Sequence, residues 1–291
     1  MTIYEFNIIT TTGFPYYGLK INETPDGVRI FLRFFDFSKE KGGEELIDPD
    51  SKFELTAGLI SAIFEFSRAI DRKIYMLEFQ SEGDNDKNNE DLFNGTISDT
   101  LITCSSETFL SQKSIRDKIE LIYNTIIEPK LPLMTAEELL TPEIDMIKNI
   151  LNDKKARDYI DDHIEKITDA TEDFLIEMNS YGLEGICILS FDLSLIQVFG
   201  EKFTLENVKD MLRNTSQVAD IPVFGLKHRI VNYKGEDIWL YVINSGIGVT
   251  EKYSGEELFE PYYYLLICKS ESYLGDFPNK LMNKFREILK K

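Results

Sequence analysis

"EGICILSFDLSLIQVFG", Glu184 to Gly200, sets two apolar runs on either side of a short "DLS" connection at Asp192–Ser194. Each run has strand length, and the connection is short enough for the two to fold back as an antiparallel pair. Before them, Asp158 to Tyr181 reads as one long amphipathic helix carrying Ile160, Ile164, Ile167, Phe174, Leu175 and Met178 on its apolar side. Gly182 and Gly185 are expected to end it. After them, "TLENVKDML" reads as a helix with Thr204 as its N-cap, since a threonine hydroxyl can accept from an orphan backbone N–H. "LKHRIVNY" and "IWLYVIN" then form a hairpin about "KGED", "YYYLLICKS" gives a further strand, and a terminal helix starts near Pro278. The second half is therefore α-β-β-α-β-β-β-α.

The first half opens with β-rich runs, "IYEFNIITTT" and "PYYGLKI". A turn at "TPDG" leads into "VRIFLRFF", in which Arg29 and Arg33 alternate with apolar residues as on a strand. "KIYMLEF" and "LFNGTISDTLITCSS" continue the β pattern, separated by the wholly polar Ser81–Asp91, expected to be a disordered loop tip. "SQKSIRDKIELIYNTIIEP" places Ile115, Ile119, Ile122 and Ile126 on one helical face and stops at Pro129. Pro132 and Pro142 mark a boundary, and a short helix from Pro142 to Leu151 bridges onward. The expected fold class is α+β, with two domains, each a central antiparallel sheet flanked by helices. They span residues 1–132 and 155–291, with a helical connector over 133–154.

"FELTAGLISAIFEFSRAI", Phe53 to Ile70, is apolar on nearly every side. Leu55, Leu59, Ala62, Ile63, Phe66 and Ile70 form one band, and Phe53, Ala57, Ile60 and Phe64 form a second beside it. At 100° per residue the two sweep roughly 220°, about twice the stripe of a helix lying on one surface. Only Glu54, Ser61, Glu65 and Arg68 gather in a polar wedge. Two readings stay open: a helix sealed inside its own domain, or one whose second band is left for a partner.

Composition narrows the functional classes. The 291 residues are 43% hydrophobic, enough to build cores, and carry a net charge of −19. Residues 1–150 hold 27 acids and 15 bases (net −12), and residues 151–291 hold 24 and 17 (net −7). Both halves would repel phosphate backbones and anionic lipid, so direct binding to nucleic acid or a bare membrane is not expected. No apolar run approaches the roughly 18 residues of a membrane span, and the N-terminus has no evident signal peptide. Cys104, Cys187 and Cys268 lie far apart in apolar runs and read as buried thiols of a reducing cytosol.

Catalytic and metal motifs are missing. His163 and His228 have no spaced Cys, His or carboxylate partner, and read as surface or internally satisfied histidines. "SGIG", Ser245–Gly248, is followed by "VTEKYSGEE" rather than by a helix, so a loop is expected there and not a phosphate cradle. Asp161 with Asp162 and Glu256 with Glu257 sit in polar stretches, as adjacent acids must somewhere in a chain with 51 of them. "NGT" at Asn94–Thr96 matches a glycosylation sequon that matters only under secretion. No catalytic residue, cofactor or metal is expected.

The succession in the second half, with "EGICILSFDLSLIQVFG" after a long helix, resembles a roadblock domain. The first half, with "LTAGLISAIFEFS" after its opening strands and "IRDKIELIYNTIIEP" near its end, resembles a longin domain. Together these cover roughly residues 3–130 and 155–290. Val28–Phe35 is one opening strand more than a minimal longin domain has. The resemblance implies a non-catalytic platform of profilin-like architecture that pairs with other such domains, as a homo- or heterodimer. It would bind or regulate a small GTPase in trafficking or signalling, from the cytoplasm or on membranes reached through a partner. In longin domains the first helix is a common contact surface, which points to Phe53, Ala57, Ile60 and Phe64 as partner-binding residues. A small-molecule sensor on a similar five-stranded sheet, PAS-like or profilin-like, is the alternative.

Overall fold

The computed structural model describes residues 2–10, 15–37, 62, 65, 68, 100–131, 139–215, 221–253 and 255–289. The chain divides into two compact units, Met1–Ser38 with Ile97–Lys291, and Lys39–Thr96. In the smaller unit Ala62, Glu65 and Arg68 are helical and exposed, and Arg68 Nη1 donates to Glu65 Oε1 at 3.0 Å. The wedge residues Glu65 and Arg68 thus meet solvent, as does Ala62 of the first apolar band. Phe53, Ala57, Ile60 and Phe64 lie outside the described residues, as do the strand expected at Lys73–Phe79 and the acidic stretch Ser81–Asp91.

The larger unit is α+β, with two antiparallel sheets. The first contains β1 (Ile3–Thr10), β2 (Pro15–Lys20), β3 (Ile30–Asp36) and β4 (Thr100–Glu107), in the order β2-β1-β4-β3. Register puts Phe6 opposite Cys104 and Ile8 opposite Ile102, with Arg33 and Phe35 across from the same β4 residues. These side chains share one face and are buried. Helix α1 (Gln112–Ile122) joins that core through Ile115, Ile119 and Ile122. Ser111 caps it, accepting from Ser114 N at 3.2 Å. A π-helical turn at Tyr123–Ile127 buries both Ile126 and Ile127, and a 3-10 turn holding Pro129, which has no N–H to continue a helix, ends the segment.

The second sheet contains β5 (Leu183–Leu189), β6 (Leu195–Phe199), β7 (Leu226–Tyr233), β8 (Glu236–Tyr253) and β9 (Glu256–Lys269), in the order β6-β5-β9-β8-β7. Both faces are covered at β5 and β9, which is why these two strands read as unbroken apolar runs. Cys187, Leu189, Leu265 and Ile267 enter the core shared with the first sheet, together with helix α5 (Leu205–Arg213). Ile186, Ile188, Tyr264 and Leu266 face a second core, with α3 (Lys154–Asp161), α4 (Ile164–Met178) and α6 (Phe277–Leu289). Helix α2 (Thr141–Leu151) joins the halves. No described helix is long and apolar enough to cross a membrane.

Three expectations need correction. The helix expected from Asp158 to Tyr181 is two helices, broken at Asp162–His163. His163 N–H turns to Ile160 O at 3.0 Å, and its Nδ1 lies 2.9 Å from Tyr159 O, so the ladder tightens and stops. Periodicity could not show this, because Ile160, Ile164 and Ile167 keep one stripe across the break. Gly182, at φ 91°, does end the helical segment, but Gly185 lies inside β5. "SGIG" is no loop between elements. It is a bulge within β8, where the register to β9 slips between Asn244 and Gly248, and β8 then runs on to Tyr253 as the first half of a long hairpin.

The α5 cap gives a first test. Thr204 Oγ1 accepts from Asn207 N, and Asn207 Oδ1 accepts from Thr204 N, each at 3.3 Å. Thr204→Ala should lower stability by about 1 kcal/mol, read from urea midpoints.

Candidate functional site

The residues singled out by sequence are not brought together. His163 belongs to the helix break described above. His228 stands exposed on β7, its ring 5.8 Å from that of Tyr241 and 6.3 Å from that of Trp239. Cys104, Cys187 and Cys268 are buried free thiols; burial pushes Cys104 and Cys268 up to about 12 and Cys187 upward too. Asp161, Asp162, Glu256 and Glu257 are exposed, and Glu257 pairs with Lys252. Among the described residues no three His, Cys, Asp or Glu side chains stand so that they could hold a metal ion.

The strongest charge constellation lies instead in the seam between the sheets. Lys118 of α1, fully buried, pairs with Asp153 and, at 2.7 Å, with Asp192. Asp153 occupies the joint between α2 and α3 in a left-handed conformation (φ 51°), and Asp192 sits in the turn between β5 and β6. Ser190 Oγ lies 2.8 Å from Asp153 Oδ2 and 2.9 Å from Asp192 Oδ1, its single hydrogen shared between the two carboxylates, and Ser194 N donates to Asp192 Oδ1 at 2.9 Å. Arg157 closes the ring from α3, donating to Ser194 Oγ and to the carbonyls of Asn152 and Leu195. Burial alone would raise Asp192, but Lys118 and the bonds from Ser194 and Ser190 hold it down to about 2. Burial likewise works against the charge of Lys118, yet Asp153, Asp192 and Glu260 outweigh it and keep the ammonium above its ordinary value.

Further polar ties cross the same seam. Arg213 of α5 clamps Glu107 of β4, with Nη2 donating to Oε1 at 2.6 Å and Nε to Oε2 at 3.1 Å, and Tyr4 Oη donates to the same carboxylate. Ser111 N donates to Asp192 O at 3.0 Å. On the first sheet's own side of the seam, Arg33, buried on β3, reaches Ser106 Oγ at 2.9 Å, Leu110 O at 3.1 Å and the Gln112 side chain, which ties down the start of α1. Enclosed charges of this kind, with solvent shut out, hold one arrangement of elements. Sequence reading passed over them, although Lys118 sits three residues from Ile115 and four from Ile122, on the apolar stripe of α1. A lysine there announces a buried counter-charge.

Glu260 is a different kind of member. It is 1% exposed, on the face of β9 that looks toward Asp153 and Lys118, and neither of its carboxyl oxygens has a hydrogen-bond partner among the described residues. Burial first, then Asp153, push it up to about 8, against the opposing pull of Lys118.

An accessible feature suited to a partner is the edge strand β7. Among the described residues nothing pairs with its outer side. Leu226, His228 and Ile230 share one exposed face, Ile230 at 57%, with Trp239 and Tyr241 half-buried behind them. Val223 and Phe224 extend this apolar surface at one end, where the Arg286 guanidinium lies 5.1 Å from the Phe224 ring centroid. An unpaired edge bearing large apolar side chains is a template for another chain. Compared with known proteins, the sequence matches no family model and no curated protein.

Proposed function

We propose that the chain is a non-catalytic interaction platform that binds or regulates a small GTPase and pairs with other longin or roadblock domains. The observation that carries this reading is the edge strand β7, unpaired on its outer side among the described residues and bearing Leu226, His228 and Ile230 on one exposed face. The order of elements around its sheet supports the reading: a helix pair in place of the one long helix, then two strands, helix, three strands, helix, otherwise the succession on which the roadblock resemblance rests. The longin reading of the first half rests on sequence, with Phe53, Ala57, Ile60 and Phe64 proposed as its partner surface. Recruitment to membranes through a partner follows from the same reading, the chain's own charge opposing direct contact with anionic lipid.

The test is affinity capture from native cytosol on the immobilised chain, with GDP and a non-hydrolysable GTP analogue in parallel and captured proteins identified by mass spectrometry. A small GTPase enriched in one nucleotide state is expected. Phe64→Asp should abolish one association while circular dichroism stays unchanged, since a carboxylate forced into an apolar contact costs several kcal/mol. No GTPase enrichment in either state would reject the function. A folded Phe64→Asp chain with undiminished binding would remove that helix from the interface.

A further inference from the structure

Beyond the bulge, β8 and β9 continue together as an arm, Gly248–Tyr253 paired with Glu256–Pro261. The arm leaves its own sheet and serves the seam: Tyr253 and Leu258 pack against the core shared by both sheets. Lys155 of α3 holds it from outside, donating to Thr250 O at 2.6 Å and approaching Glu251 at 3.7 Å. Its connection to the rest of the sheet is irregular, because the ladder slips between Asn244 and Gly248, so the arm can loosen without undoing the β5–β9–β8 pairing.

Glu260 sits at the base of this arm, and the charge around it does not balance. Facing it are Lys118 from α1, Asp153 from the α2–α3 joint, Asp192 from the β5–β6 turn and Glu251 from β8 on the same face. Among the described residues the neighbouring tyrosine hydroxyls are taken: Tyr262, the next inward residue of β9, donates to Ala156 O at 3.0 Å, and Tyr253 bonds Glu251. The Lys118 ammonium is taken by the two aspartates, and the Arg157 guanidinium by Ser194 and two carbonyls. Burial and Asp192 push Asp153 upward too, but it meets Ser190 Oγ and the Lys118 ammonium, as Asp192 does. Glu260 has no hydrogen-bond partner among the described residues, so the proton in this set belongs on Glu260.

We propose that Glu260 is a proton-operated latch: protonated, it seats the β8–β9 arm in the seam between the sheets; ionised, it releases the arm. The direction follows from the neighbours. Glu260 titrates near 8 in the closed form, above the ordinary glutamate value of 4.5 that it regains on opening. Closure therefore takes up a proton. It is favoured on the acid side and weakens about tenfold per pH unit until the pH passes that of the closed form.

Hydrogen exchange of the full chain, read by mass spectrometry at pH 6 and pH 9, tests this against Glu260→Gln. Comparing the two proteins at one pH cancels the intrinsic dependence of exchange on hydroxide. At pH 6 the amides of residues 249–259 should already exchange faster in the wild type, by about 30-fold, because the opened Glu260 is ionised above 4.5. By pH 9 that excess should have grown about 100-fold further, while peptides from β5 and α4 stay matched. Equal arm exchange at pH 9, or acceleration spread over the whole chain, would overturn the latch. Should Glu260→Gln fail to fold, the wild type alone decides. Its arm protection relative to β5, corrected for intrinsic rates, must drop between pH 6 and pH 9, and a constant ratio rejects the proposal.

Discussion

Replacing Lys118 with methionine should lower the stability of the larger compact unit by about 3–5 kcal/mol at pH 7.5, the cost of leaving buried carboxylates without their cation. The side chain is fully enclosed, and both Asp153 and Asp192 depend on it. The pH dependence separates this cause from simple loss of packing. In the wild type Asp192 titrates near 2, below its ordinary 3.8. Its contribution is thus complete above pH 4 and is lost as pH falls through that interval. Asp153 is already raised by burial and Asp192 in the wild type. Without Lys118, burial pushes Asp192 upward as well, so the variant gains more stability than the wild type as pH falls from 7.5 to 5 and the gap between them narrows. Urea unfolding followed by circular dichroism at the two pH values reads both effects. A triple variant, Lys118→Met with Asp153→Asn and Asp192→Asn, should recover most of the loss, because the uncompensated charge is gone. A single variant within about 1 kcal/mol of the wild type would show that the seam does not depend on this pair.

The sequence made the elements legible wherever the hydrophobic period matched one element and one covered face. Ile115, Ile119, Ile122 and Ile126 called for the segment that follows β4, and all four are buried. Thr204 called for a cap and is one. What stayed hidden depends on three-dimensional partners. The break at His163 preserves the apolar stripe, so no period changes there. The bulge at Asn244–Gly248 looks like a loop because its glycines and serine are turn formers, and only the facing β9 backbone shows why they stand inside a strand. The seam was partly visible. Lys118 on an apolar helical stripe and Glu260, flanked by Leu258 and Tyr262 at inward positions, are both charges where burial was expected. A rule that treats such a residue as evidence for a distant counter-charge would have found Lys118 and its aspartates. It would not have found the vacancy around Glu260, which depends on how the other groups spend their bonds.

Gly248→Ala should be the most damaging glycine replacement at the bulge. A Cβ there would lie 2.0 Å from Glu260 O, 2.6 Å from Glu260 C and 2.7 Å from Pro261 Cα, all backbone of the paired strand. No rotamer change relieves a clash with backbone. β8 and β9 must part, and the expected cost is about 3 kcal/mol. Gly246→Ala is the matched control. Its added carbon meets the side chains of Val223 and Phe224, at 2.6 and 2.9 Å, and these stand exposed and can swing away. What remains is the strain of its φ of 65°, about 1 kcal/mol. Thermal melts of the two variants should therefore differ in a fixed order, with Gly248→Ala the lower. The same clash predicts a local signature in hydrogen exchange: residues 249–259 lose protection while β5 keeps it, because the slipped ladder isolates the arm from the regular pairing behind it. If Gly248→Ala instead melts with Gly246→Ala, the strands at the bulge are already free to separate. The arm would then rest on Lys155 and the core contacts of Tyr253 and Leu258, rather than on the backbone pairing that carries Glu260 into the seam.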